Sequence, residues 1–147
     1  MITIAHNIRS MHNVGAIFRN AAAFNVEKLY LTGITATPPR KEIQKVALGA
    51  EDLVAWVQGD IGQVIGQLRA EGYLVYGLET GAGALAIEDA RGKFEGKKLA
   101  LVLGHEADGI DLETQAMLDG LIEIPMGKKR SLNVSVASGI AMFVFSR

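Results

Sequence analysis

The sequence predicts an α/β protein, a mostly parallel sheet with helices on both faces, and three observations predict it. Short apolar runs alternate with amphipathic stretches over the first half of the chain, giving the order βαβαβαβ with short links. Residues 99–103, LALVL, are apolar without a break, as expected of a central strand buried on both faces. Residues 121–124 form a strand end that stops at Pro125, crosses a short loop, and re-enters regular structure at Ser131 or Asn133. Strand, loop, helix is the arrangement that builds sites in open α/β folds, where carboxyl ends of strands meet helix N-termini.

Residues 1–5 read as a first strand. Asn13 is placed to cap a helix carrying Val14, Ile17, Phe18, Ala21 and Phe24, the stripe of an amphipathic helix, from which Arg19 points away. Residues 28–32 read as a buried strand ended by Gly33. Thr37, Pro38 and Pro39 lead into a helix over 40–48, with Gly49 as its stop and Arg40, Lys41 and Lys45 as a basic face. A strand is expected over 53–57. Asp60 caps a helix with Ile61, Val64, Ile65 and Leu68 on one side, Gly72 ends it, and 73–78 form the next strand. Gly104 and Gly109 frame the loop after residues 99–103, and Asp111 caps the helix that follows. The last helix, with Val134, Val136, Ile140, Met142, Phe143 and Phe145, is apolar nearly all round, which implies a core position or a subunit interface.

Composition narrows the function. The chain has 147 residues, 49% hydrophobic and 21% charged, which fits one globular domain without repeats or linkers. No apolar run is long enough for a membrane span and the amino end lacks a signal-peptide pattern, so the expectation is a cytoplasmic protein without an appended RNA-binding domain. The absence of cysteine removes thiolate chemistry, and His6, His12 and His105 lack metal-ligand spacing, so no metal is expected; only His12, beside Asn13, is a candidate to line a site. A net charge of −1 argues against a sequence-blind polyanion binder, leaving local patches for any nucleic-acid contact.

Two glycine patterns imitate nucleotide sites. Gly81, Gly83 and Ala86 satisfy the dinucleotide fingerprint G-x-G-x-x-A, but in the fourth strand-to-helix link, with residues 85–89 too short for the required helix. Gly92, Gly96 and Lys97 are one residue short of a phosphate loop and lack its hydroxyl. Glu79 and Thr80 nevertheless stand at a strand's carboxyl end, where ligands bind.

Three loops carry a more specific signal: NVGAIFR at 13–19, LGHEADG at 103–109 and IPMGKKRSLN at 124–133. In this order, and with the closing SLNVSVA, they resemble the three motifs of the SpoU/TrmH family of RNA ribose 2′-O-methyltransferases, in the SPOUT superfamily. The resemblance spans essentially the whole chain. His105 departs from the asparagine or small residue common there, and Lys128, Lys129 and Arg130 make the third loop more basic than usual. The resemblance implies a C-terminal trefoil knot, which the usual rule against knotted connections would not suggest. It implies S-adenosyl-L-methionine (AdoMet) bent within the knotted loops, and a homodimer in which Arg19 of one chain faces the partner's cofactor.

Carried over, the resemblance makes Leu103, Gly104, Ile124, Met126 and Leu132 the adenine and ribose cradle, with Thr80 beside them. It makes Asn13, Arg19, Glu106, Ser131 and Asn133 the functional polar set. Without it, Asn13, Ser131 and Asn133 read as helix caps, Glu106 as a loop carboxylate, and the apolar cradle as core. Arg19 is the essential residue on this reading. A guanidinium titrates above about 12, so a fork gripping phosphate and stabilising a developing alkoxide suits it better than a proton acceptor. Asn13 and Ser131 would position the hydroxyl and Arg19, Glu106 would orient Arg19 or Asn13, and Asn133 would brace the loop. RNA contact is expected from Arg9, Arg19, Arg40, Lys41, Lys128, Lys129 and Arg130, with a compact RNA such as tRNA favoured over rRNA. Two rivals remain, a non-catalytic RNA-binding module retaining the fold and a nicotinamide enzyme using residues 81–86.

Overall fold

The computed structural model describes residues 1–146. Strand β1 (Ile2–His6) is buried along its whole length and leads to α1 (Met11–Ala23), whose Val14, Ile17, Phe18 and Ala21 face the sheet as the stripe requires. Then come β2 (Lys28–Thr32), α2 (Lys41–Ala47), the single turn α3 (Ala50–Leu53) and β3 (Trp56–Gly59). Helix α4 (Ile61–Ala70), capped by Asp60, crosses to β4 (Leu74–Leu78). The two-residue β5 (Leu85–Ala86) and α5 (Ile87–Phe94) precede β6 (Leu99–Leu103). Helix α6 (Leu112–Ala116), capped by Asp111, β7 (Gly120–Glu123) and α7 (Val134–Phe145) complete the chain. No helix among the described residues is long and apolar enough to cross a membrane.

All pairings in the seven-stranded sheet are parallel, in the order β3-β2-β1-β6-β4-β7-β5. The unbroken apolar strand β6 is fourth of the seven and fully buried, as its sequence predicts. Strand β7 enters between β4 and β5, so the last strand is an inner one. One apolar layer joins α1 and α2 to the sheet through Phe18, Ile17, Leu29, Leu31 and Ile43; another, under α4, gathers Ile4, Val64, Leu68 and Val75. A third joins α5 and α7 through Phe94, Ile122 and Ala141.

Several boundaries differ from the sequence expectation for local reasons. Ser10, not Asn13, caps α1, its Oγ accepting from the Asn13 N–H at 3.3 Å, so the helix starts earlier and Asn13 points inward. The strand expected over 53–57 lies at Trp56–Gly59, because residues 50–53 wind into a turn after Gly49 takes φ +88°. The 85–89 segment, too short by itself for a helix, divides between β5 and the start of α5, which continues to Phe94. Helix α7 buries Ser138, Ala141 and Met142 but leaves Val136 50% and Phe143 44% exposed, so an apolar face remains at the surface.

Candidate active site at the strand ends

Parallel strands bring the loops after β1, β4, β6 and β7 to one end of the sheet, and a cleft opens between the last three. Leu78, Glu79 and Thr80 line it from β4; Leu103 to Ala107 and Gly109 from β6; Ile124, Met126, Arg130, Ser131 and Leu132 from the last loop; Val134 and Ala137 from α7. Counting its open mouth, the cleft encloses about 780 Å³.

The loop after β6 has a fixed shape. His105 and Gly109 exchange backbone hydrogen bonds of 3.0 and 2.9 Å, closing a tight turn in which Gly109 takes φ +66°. A Cβ on Gly104 would lie 2.5 Å from the Gly109 carbonyl carbon, so only glycine permits this approach. Glu79 supports the turn from β4, its Oε2 accepting from the Ile110 N–H at 3.2 Å and its Oε1 from the Thr80 N–H at 2.9 Å.

Glu106 projects from this turn across to the start of α1. Its Oε2 accepts from the Arg9 N–H at 2.9 Å, and its Oε1 from the Ser10 N–H at 2.8 Å and Asn13 Nδ2 at 2.9 Å. Burial alone would raise this carboxyl, but the bonds from Asn13, Ser10 and Arg9 outweigh it and hold the pKa below the ordinary carboxylate value. Asn13 Oδ1 in turn accepts from Asn133 Nδ2 at 3.2 Å, and Asn133 Oδ1 caps α7 by accepting from the Ser135 N–H at 2.8 Å. A single relay, Glu106 to Asn13 to Asn133, therefore ties together the loops after β6, β1 and β7.

The carboxyl end of β1 is tied to β2 and to the start of α6 by His6. Its Nδ1 lies 2.9 Å from Thr32 Oγ1 and its Nε2 3.1 Å from Asn7 Nδ2, with the Asp111 carboxylate 3.5 Å away. Burial lowers its pKa and outweighs the opposing pull of Asp111.

Of the sequence-predicted polar set, the structure joins Asn13, Glu106 and Asn133. Both polar atoms of Asn13 are engaged in the relay, and within the chain it is Asn13 that Glu106 orients. Ser131 is no cap; it is exposed on the cleft wall. Arg19 is exposed on α1 and absent from its own chain's cleft lining. The predicted cradle, Leu103, Gly104, Ile124, Met126 and Leu132, converges there with Thr80 at the mouth. Arg130, expected to touch RNA, also lines the cleft, whereas Arg9, Arg40, Lys41, Lys128 and Lys129 are exposed on or beside loops at the same strand ends. His12 is exposed and outside the lining.

Sequence reasoning missed two residues. Ser10 stands just before an apolar-periodic run, which capping rules could have found. Asn20 donates to the Ser135 carbonyl at 2.8 Å and Ser138 Oγ at 3.1 Å, clamping α1 to α7; nothing in its sequence context distinguishes it from a surface residue.

These features define an α/β protein with a ligand cleft at the carboxyl ends of inner parallel strands. The sequence profile of the SpoU rRNA Methylase family matches residues 1–143, and the chain belongs to that family. The 23S rRNA (guanosine-2′-O-)-methyltransferase RlmB of Xanthomonas axonopodis pv. citri is 35% identical over 146 residues, covering 97% of this chain and 57% of the relative. An uncharacterized tRNA/rRNA methyltransferase of Synechocystis is 35% identical over 155 residues, covering all of this chain and 38% of its own length. The AdoMet-bound rRNA methyltransferase of Sinorhizobium meliloti superposes with a TM-score of 0.88 at 26% identity, over 97% of this chain and 54% of the other. The A. aeolicus TrmH/SpoU tRNA modifying enzyme gives 0.84 at 28% identity, over 97% and 72%. The chain thus spans 57% of the length of the first of these relatives.

Proposed function

We propose that the chain is the catalytic domain of an AdoMet-dependent RNA ribose 2′-O-methyltransferase. The observation that carries this reading is the Glu106–Asn13–Asn133 relay, which draws all three motif loops around one cleft. The cleft suits AdoMet chemically. Leu103, Ile124, Met126 and Leu132 offer apolar walls for an adenine. Among the described residues, 125–132 make no backbone–backbone hydrogen bond, so their amides and carbonyls are available to a ligand's polar edge. The trefoil knot belongs to the same reading, supported by the inner position of β7 and the link from Asn133 back to Asn13.

When bound, AdoMet supplies a methyl group already activated on a sulfonium, so the chain's task is to hold a ribose 2′-hydroxyl in line and let its proton leave. Proximity supplies much of the rate. Arg19 grips the phosphate beside the target nucleotide and stabilises the oxygen as it loses its proton. Because Arg19 is remote from its own cleft, the site is completed by a second copy. The groove between α1 and α7, lined by Ala16, Asn20, Phe24, Val136 and Ile140, is the apolar face through which a homodimer forms. Arg9, Arg40, Lys41, Lys128, Lys129 and Arg130 supply RNA contact. The relatives named for 23S rRNA favour rRNA over the tRNA expected from the short chain, in the cytoplasm where both are processed.

The test is transfer of labelled methyl from AdoMet to rRNA and to tRNA, with the mark mapped to a ribose. Arg19→Ala should lower turnover by about a hundredfold or more and leave AdoMet affinity intact. Mixing Arg19→Ala with a cleft-defective variant should restore activity through hybrid dimers. Retained turnover in Arg19→Ala would remove it from the mechanism.

A further inference from the structure

We propose that His105 is a ligand-binding residue whose Nε2–H donates a hydrogen bond to the carboxylate of the donor's amino-acid half. The argument starts from its other ring nitrogen. Nδ1 lies 3.1 Å from the Ala107 N–H and 3.2 Å from the Asp108 N–H, both of which donate to it. A nitrogen that accepts two amide protons carries none of its own, and Asp108 Oδ2, 3.4 Å from Nδ1, makes no hydrogen bond to it, so the proton sits on Nε2. Among the described residues, Nε2 has no partner, and the ring is part of the cleft lining. The backbone bonds between His105 and Gly109 fix the ring's root, so this donor is set before any ligand arrives.

The charges around the cleft say what it meets. The lining holds two carboxylates, Glu79 and Glu106, and one guanidinium, Arg130. An amino acid carried on a sulfonium presents cationic centres that suit the first pair and a single anion. Among the described residues, Arg130, the Ser131 hydroxyl and the His105 Nε2–H are the lining's side-chain donors with no protein acceptor, and of these the His105 donor is the one rooted in the closed turn. The inference rests on the AdoMet reading.

Two substitutions separate the ring's two jobs. In His105→Asn the Oδ1 can take the place of Nδ1 and keep the Ala107 and Asp108 bonds, while the outer donor is lost. In His105→Gln the amide nitrogen reaches towards the place of Nε2 and keeps the donor. Calorimetry on the full chain would compare AdoMet, S-adenosylhomocysteine and 5′-methylthioadenosine, which lacks the amino-acid half. His105→Asn should weaken the first two about tenfold, the worth of one hydrogen bond to a charged group, and leave the third unchanged; His105→Gln should recover most of the loss. A purely structural role would instead lower the melting temperature and weaken all three ligands together, and that result would overturn the assignment. So would unchanged AdoMet affinity in His105→Asn, including the case where only RNA affinity falls. If the wild-type chain binds none of the three, it is the AdoMet reading that fails.

Discussion

Removing the Glu106 carboxylate should cost stability as well as activity, and the structure allows the amount to be worked out. The carboxylate satisfies three donors, the Arg9 and Ser10 N–H groups and Asn13 Nδ2. Arg9 is exposed and its N–H can return to water, whereas Asn13 is only 9% exposed and would be left without its acceptor. Counting one stranded, partly buried donor and one partly recovered bond, Glu106→Ala should destabilise by about 2–3 kcal/mol. For a chain of this length that is a fall in Tm of about 5–10 °C. Glu106→Gln can still accept from Ser10 and Asn13 but turns an amide NH₂ towards the Arg9 N–H, so about half that loss is expected.

The pH dependence has a definite sign. Because the folded carboxyl titrates below its ordinary value, its contribution is fully present above the unfolded pKa. It is lost as pH falls through the folded one. The gap in Tm between wild type and Glu106→Gln should therefore close as pH is lowered from neutral into the acid range below the ordinary carboxylate value. Differential scanning calorimetry across that range measures it. A Glu106→Ala protein melting within a degree or so of wild type, or a gap that widens on acidification, would refute the relay as a source of stability.

Three other outcomes follow from the same geometry. Asn133→Asp keeps the cap on α7 but loses the donor to Asn13, so its Tm should stay well above that of Asn133→Ala, which loses about 1–2 kcal/mol more, while AdoMet affinity falls in both. Gly104→Ala drives a methyl group into the Gly109–Ile110 backbone and should abolish AdoMet binding while the far-ultraviolet circular dichroism remains that of a folded α/β protein. Replacing Lys128 and Lys129 with Ala should weaken RNA binding and shallow its salt dependence by about 0.7 per contacted phosphate on a single strand, with AdoMet affinity unchanged; identical filter-binding curves at several salt concentrations would exclude these lysines from the RNA surface.

Much of the architecture is legible in local pattern. The apolar stripe of α1, the unbroken run of β6 and the caps Asp60 and Asp111 are short-range signals, and the structure realises each. What local pattern misses is set by tertiary partners. Asn13 looks like a cap because asparagine usually is one, yet its partner Glu106 lies 93 residues away and draws the side chain inward. The helical turn at residues 50–53 follows a left-handed Gly49, which a strand-like composition conceals. The apolar circumference of α7 does not say which side packs on Ala141 and Met142 and which remains at the surface. Local pattern gives the candidate site only as three separate loops, and it is the family resemblance that joins them into one polar set. That Asn13, Glu106 and Asn133 meet while Arg19 stands apart is a fact of topology, with no trace in spacing.

The inward position of β7 has a consequence for how the protein comes into being. The cleft is tied together by bonds spanning 93 and 120 residues, and distant contacts of this kind form late because loop closure must precede them. A nascent chain released as far as β6 can pair five of the seven strands, leaves β5 without its partner β7, and lacks one wall of the cleft. The cleft is thus closed only once the residues after β7 are in place, because Ile124, Met126, Leu132 and Val134 form one of its walls.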